Sequence, residues 1–136
     1  MKKTIVLVDG ENIGCMRAED IDVLARRYGT VVERRVYHRR KDPATRNWTE
    51  KAKNGLYKDI RLDGGPEKDK IDRKIQKDAR HYMRSPKYAR VCIVSSDGGF
   101  CCLAKEKAAP KKLRFIGEKK APRSLRNTCA PFLELS

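Results

Sequence analysis

Three short segments carry the residues able to do chemistry: Val8-Asp9-Gly10-Glu11-Asn12, Lys70-Ile71-Asp72 and Ser95-Ser96-Asp97-Gly98-Gly99-Phe100. Each sets an aspartate where an apolar run stops or a helix begins. Clustered carboxylates raise one another's pKa unless cations neutralise them. A hard divalent cation does so economically. Mg²⁺ or Mn²⁺ takes oxygen ligands, keeps several waters, and is commonly held by one or two carboxylates together with phosphate oxygens. Asp9, Asp72 and Asp97 are therefore the candidate metal-binding and catalytic acids, with Asp69 on roughly the same helix face as Asp72. Taken singly, Asp9-Gly10 and Asp97-Gly98 are ordinary turn pairs, and Asp72 would complement a helix dipole. The occurrence of Asp9, Asn12, Asp72 and Asp97 together, at equivalent ends of successive units, points to a site. Asp78 sits seven positions after Ile71, inside the apolar arc of its helix, and reads as partly buried and structural. No Ser-His-Asp or Cys-His arrangement is supported, so His38 and His81 read as surface or packing residues.

Positioning those acids requires strands that end together. Thr4 to Val8 is a continuous apolar and β-branched run, as in a parallel strand buried on both faces. The spacing predicts a helix over Ala18 to Tyr28 with Gly29 as its stop, a strand over Val31 to His38, a weaker helix over Trp48 to Tyr57 and a short strand over Asp59 to Leu62. After Gly64-Gly65-Pro66, a helix from Asp69 carries the stripe Ile71, Ile75, Ala79, Tyr82 and Met83 and ends before Ser85-Pro86. A strand over Ala89 to Val94, a helix over Phe100 to Ala109, a strand over Leu113 to Ile116 and a short strand over Phe132 to Leu135 complete the chain. Alternation of this kind predicts one domain over residues 1–136. Its fold class is α/β: a three-layer α/β/α, Rossmann-like arrangement around a mainly parallel sheet of five or six strands. In such sheets functional groups gather at the carboxyl ends of the strands.

The chain has 33 Lys plus Arg against 18 Asp plus Glu, a formal net charge of +15 over 136 residues, which makes a polyanion the expected partner. Phosphate-contact candidates are Arg34, Arg35, Arg39, Arg40 and Lys41, then Arg46, Lys51 and Lys53, with Lys119, Lys120, Arg123 and Arg126 near the end. Trp48 reads as a helix's core anchor, with base stacking as the competing role. No apolar run is long enough to span a bilayer, and the N-terminal run is too short for a secretory signal, so a cytoplasmic protein is expected. Five cysteines without a Cys-x-x-Cys pair argue against both a disulfide framework and a zinc site. Absence of Gly-x-Gly-x-x-Gly and of a Walker lysine disfavours a nucleotide-binding enzyme.

In their order, the three acidic segments, together with Leu113-Arg114-Phe115-Ile116-Gly117, Ser124-Leu125 and Ala130-Pro131-Phe132-Leu133, resemble the NYN domain, a branch of the PIN-like ribonucleases. The resemblance spans nearly the whole chain. It implies a PIN-like fold and Mg²⁺- or Mn²⁺-dependent hydrolysis of phosphodiesters, mostly of RNA, leaving 5′-phosphate and 3′-hydroxyl ends. On this match Asp9, Asp72 and Asp97 hold metal and Asn12 supports the first strand's site. The family's fourth-strand motif usually reads Ser-x-Asp-x-Asp-Phe, whereas Gly99 stands here where the second Asp is expected. That departure implies either a weakened second metal site, with Asp69 or Glu11 as substitutes, or a non-catalytic RNA-binding module on the same fold. Single-stranded or structured RNA is the expected partner; DNA as a substrate and a homodimer are left open.

Overall fold

The computed structural model describes residues 2–39, 43–52, 56–62, 70–106, 108–128 and 132–135, with backbone alone for 43–47 and 128. Six strands, β1 (Lys3–Asp9), β2 (Thr30–Arg39), β3 (Lys58–Leu62), β4 (Arg90–Val94), β5 (Leu113–Glu118) and β6 (Phe132–Leu135), form one sheet in the order β3-β2-β1-β4-β5-β6. Every pairing is parallel. The sheet is therefore wholly rather than mainly parallel, and its order reverses between β1 and β4, where ligands bind in open α/β sheets.

Alternation along β1 sends Val6 and Val8 to one face and Ile5 and Leu7 to the other, and both faces are covered. On the first face α1 (Ala18–Ala25) buries Ala18, Ile21 and Ala25, and α2 (Pro43–Ala52) adds Trp48. On the opposite face α3 (Lys70–Arg84) buries Ile71, Ile75, Ala79 and Met83 of the stripe predicted from its spacing, with Tyr82, its fifth member, half-buried against the same core. Each fully buried large side chain there contributes about 1.5–3 kcal/mol. The same face is completed by α4 (Cys101–Ala104), α5 (Ala109–Lys112) and α6 (Arg123–Thr128), which contribute Leu103, Ala109 and Leu125. Among the described residues, no helix is long and apolar enough to cross a membrane.

Three elements differ from the sequence reading. The helix expected over Trp48 to Tyr57 runs instead over Pro43–Ala52, and Leu56, counted into its stripe, is exposed. The helix expected over Phe100 to Ala109 is shortened to a 3-10 turn over Gly98–Phe100 followed by α4, which ends at Ala104, and α5 starts separately at Ala109 with Pro110 in its first turn, where proline is tolerated. α6 was not foreseen. Gly29 does end the α1 region, after a 3-10 turn over Arg26–Tyr28, at φ +145°, a conformation that only glycine adopts without strain.

Gly117 has a different role from the expected strand stop: β5 runs through it. A Cβ there would lie 2.7 Å from both the Phe132 ring and the Ser95 carbonyl oxygen. Gly117→Ala is thus expected to lower stability by about 1–3 kcal/mol, as overpacking does. A chemical-denaturation midpoint equal to that of the native chain would contradict this packing.

Candidate functional site

The acids occupy the carboxyl edge at the switch point. Val8 and Val94 pair across β1 and β4, so Asp9, ending β1, and Asp97, just beyond β4, extend from neighbouring strands. Asp9 is 3% exposed. Its carboxylate accepts from Ser95 Oγ at 3.1 Å and from the Glu11 N–H at 3.3 Å. Burial pushes the carboxyl up to about 6; hydrogen bonds from Ser95 and from the Glu11 and Asn12 backbone act against that rise, and the Asp97 charge adds to it.

Ser95 joins the two acids, since its hydroxyl donates to Asp9 and accepts from the Asp97 N–H at 3.1 Å. Asn12 Oδ1 accepts from the Ser96 N–H at 2.7 Å and ties the β1 loop to the β4 loop. Ser96 Oγ in turn accepts from the Glu118 N–H at 2.8 Å, so the β5 loop is bound into the same lattice. Ser95 and Ser96, both buried, are positioning residues to which the sequence reading gave no role. The available signal was two hydroxyl side chains directly after a buried strand, which must find partners once desolvated.

Asp72 enters from the first turn of α3. A Cβ on Gly99 would stand 3.2 Å from Asp72 Oδ2 and 3.3 Å from Asp97 Oδ1, so these two carboxylates face the same point. Asp97 Oδ1 accepts from the Gly99 N–H at 2.8 Å, and Gln76, one turn after Asp72, donates to the Gly99 carbonyl at 3.2 Å. Asp69 lies outside the described residues. Glu11 is committed to Arg39 at 3.4 Å.

The donors are all oxygens, the chemistry a hard cation requires. Among the described residues no three His, Cys, Asp or Glu side chains are grouped to hold an ion. A Mg²⁺ site is met by fewer, since one or two carboxylates with waters and phosphate oxygens suffice. Asp72 and Asp97 supply such a pair, and Asp9 lies beside them through Ser95.

The space at Gly99 invites a test. Its neighbours are carboxylate tips rather than backbone, so an Asp requires those tips to give by a few tenths of an ångström and adds a third negative charge. Gly99→Asp is expected to lower the thermal midpoint in EDTA, at about 1 kcal/mol per neighbouring charge in aqueous surroundings. Mg²⁺ or Mn²⁺ should raise that midpoint more in the variant than in the native chain, as measured by calorimetry.

The basic candidates divide sharply. Arg34 pairs with Asp22 at 2.6 Å, and Arg35 with Glu33 and Asp78 at 3.5 and 3.6 Å, on opposite faces of β2 and short of its carboxyl end. Both are interior ion-pair partners rather than the phosphate contacts expected, because alternation in a doubly covered strand buries both of their stems. Arg39 reaches the edge but holds Glu11. Lys51 lines a cleft of about 400 Å³ with Glu19, Asp22, Val23, Leu56 and Tyr57, on the α1 and α2 side. Arg126 is bound to Glu134 at 3.0 Å and covers Phe132. Lys119, Lys120 and Arg123 are exposed just past β5, the strand beside β4. Arg40, Lys41 and Lys53, and the Arg46 side chain, lie outside the described residues.

The remaining candidates are structural. Trp48 is fully buried, donates to the Ile13 carbonyl at 2.9 Å and packs on Tyr57, so it is a core anchor and not a stacking platform. Asp78 accepts from the Tyr37 hydroxyl at 2.6 Å, as expected of a partly buried structural acid. His38 is buried against Asp59, and His81 is exposed. Cys15, Cys92, Cys101 and Cys102 are free thiols.

With this geometry established, the sequence pattern of the NYN domain matches residues 3–136. The chain belongs to the NYN domain family. NYN domains are a PIN-like nuclease family, which supports a nuclease function and a nucleic-acid substrate for this chain. This NYN domain is similar in structure to a Vibrio parahaemolyticus RIMD 2210633 protein of unknown function, VPA0982. The TM-score is 0.74 at 22% identity, over 99% of this chain and 93% of that one. At that identity the likeness shows the fold. No curated protein matches the chain.

Proposed function

We propose that this NYN domain is a ribonuclease that hydrolyses RNA phosphodiesters with the help of Mg²⁺ or Mn²⁺. The observation that supports this reading is the meeting of Asp72 and Asp97 at one point, with Asp9 joined to Asp97 through Ser95, at the switch edge of a chain carrying +15. Asp72 and Asp97 would hold the cation, with Asp9 completing its surroundings. When bound, the metal supplies a water of lowered pKa and neutralises charge developing on phosphate.

The chain's own residues do the rest. Ser95 holds the Asp9 carboxylate in place and fixes the Asp97 backbone. Asn12 locks the two acid-bearing loops together. In the metal-free chain burial pushes the Asp9 carboxyl up to about 6, and a cation bound beside it would favour the charged form.

A second reading, an RNA-binding module without catalysis, is favoured by Gly99, which contributes no carboxylate between Asp72 and Asp97. End-labelled single-stranded and hairpin RNAs incubated with Mg²⁺, Mn²⁺ or EDTA separate the two. Metal-dependent cutting, lost in Asp97→Asn, supports the ribonuclease; binding without cutting in either metal supports the module.

A further inference from the structure

We infer that the loop from β5 to α6 is the phosphate anchor of this site, and that it reads the backbone of the nucleic acid without stacking its bases. The inference rests on the nucleic-acid reading above and adds where, and by what chemistry, the strand is held. Two independent observations carry it.

The first is where the uncommitted positive charge lies. Of the described basic candidates around the acids, Arg34, Arg35, Arg39 and Arg126 are each bound to an acid of the same chain. Lys119 and Arg123 make no ion pair with a described residue. Lys120 shares Glu118 with Arg17 at 3.4 Å while its side chain stays 66% exposed. These three cations are also fixed relative to the acids. Glu118, immediately before them, donates its N–H to Ser96. A Cβ on Gly98 would lie 3.5 Å from Pro122 and 4.0 Å from Ser124, so the loop packs directly against the segment carrying Asp97. A phosphate chain bound at Asp97 therefore lies beside this loop.

The second observation concerns the aromatic residues. Proteins that grip single strands without sequence preference pair a basic groove with aromatic platforms. This chain has one Trp, five Tyr and three Phe, and none of them is exposed. The half-buried ones are occupied: Tyr28 donates to the Phe115 carbonyl, Tyr82 packs edge-on against His81 and Tyr88, and Phe132 lies under Arg126. With no exposed Trp, Tyr or Phe ring to receive a base, phosphates remain as the feature recognised.

The test uses the native chain, the triple variant Lys119→Glu/Lys120→Glu/Arg123→Glu, and a control with equal charge change at the amino edge of the sheet, Arg27→Glu/Lys87→Glu/Lys111→Glu. Binding of fluorescent uridine and adenosine strands of equal length, and of a uridine strand carrying abasic positions, is followed by anisotropy across a salt series, with thermal midpoints confirming the fold. Expected are an affinity loss of about tenfold or more and a salt slope shallower by roughly 2 in the anchor variant, at about 0.7 per phosphate contact, with a much smaller change in the control. The uridine, adenosine and abasic strands should bind the native chain within about threefold of one another, because no stacking contributes. Equal losses in both triple variants, or an abasic strand bound about tenfold more weakly, would overturn the inference while leaving a cutting enzyme in place. A native chain that binds none of the strands would overturn the nucleic-acid reading along with it.

Discussion

Asp9→Asn is expected to lower RNA cleavage by about 100-fold or more and, in metal-free buffer at neutral pH, to leave the fold more stable than the native chain. The two effects share a cause. The Asp9 carboxyl is held at about 6 against an ordinary 3.8, with burial as the main reason. Between those values the folded chain binds a proton that the unfolded chain has released. Stability from this group is therefore full below about pH 4 and declines as pH rises through 6. The charged form costs the fold roughly 3 kcal/mol at pH 8. Asparagine carries no charge, keeps an oxygen for the Ser95 hydroxyl or the Glu11 N–H, and escapes that penalty. Urea denaturation of both proteins in EDTA from pH 4 to 8 should give a difference that grows with pH in favour of the variant. A variant that is both inactive and less stable at pH 8 would mean that Asp9 is a structural acid. A site that stores destabilisation in its native residue is what a buried group kept for function looks like.

Trp48→Ala is expected to cost about 3–5 kcal/mol of stability. The indole fills the space beside Tyr57, closes over Gly10 and donates to the Ile13 carbonyl at 2.9 Å. Gly10 itself has no room for a side chain: a Cβ would stand 2.8 Å from Val36 and 2.9 Å from the Tyr37 carbonyl oxygen, with Trp48 at 3.2 Å. Truncation therefore opens a cavity directly under the turn that presents Asp9 and Asn12. Cleavage should fall along with the denaturation midpoint. Trp48→Phe, which keeps most of the volume and loses the hydrogen bond, should recover the larger part of both. If Trp48→Ala weakened RNA binding while its midpoint stayed native, the ring would be a base platform and the buried assignment would fail.

Much of the fold was legible in the sequence because its strands are buried on both faces and read as unbroken apolar runs. β1 and β4 were placed to within a residue or two in this way, and the stripe Ile71, Ile75, Ala79, Tyr82 and Met83 marked α3. Helical spacing alone misplaced two elements: the helix expected over Phe100 to Ala109 stops at Ala104, and Leu56 matches a helical spacing while lying exposed beyond α2. Gly117 looked like a strand end because glycine marks both turns and close approaches, and only the position of Phe132 distinguishes them.

By itself the sequence determined the family, the α/β class and the three acidic segments, since each is written in a few adjacent residues. The tertiary structure alone decided which groups meet. Ser95 reaches across 86 residues to Asp9 and joins it to Asp97, a relation that sheet order creates and no local spacing encodes. It likewise decided which charges are available. Arg34 and Arg35 look like phosphate contacts in a basic run, yet β2 turns one toward Asp22 and the other toward Asp78, because successive residues of a strand face opposite ways. Net charge is a property of the chain, whereas the charge free to meet a polyanion is what folding leaves unpaired.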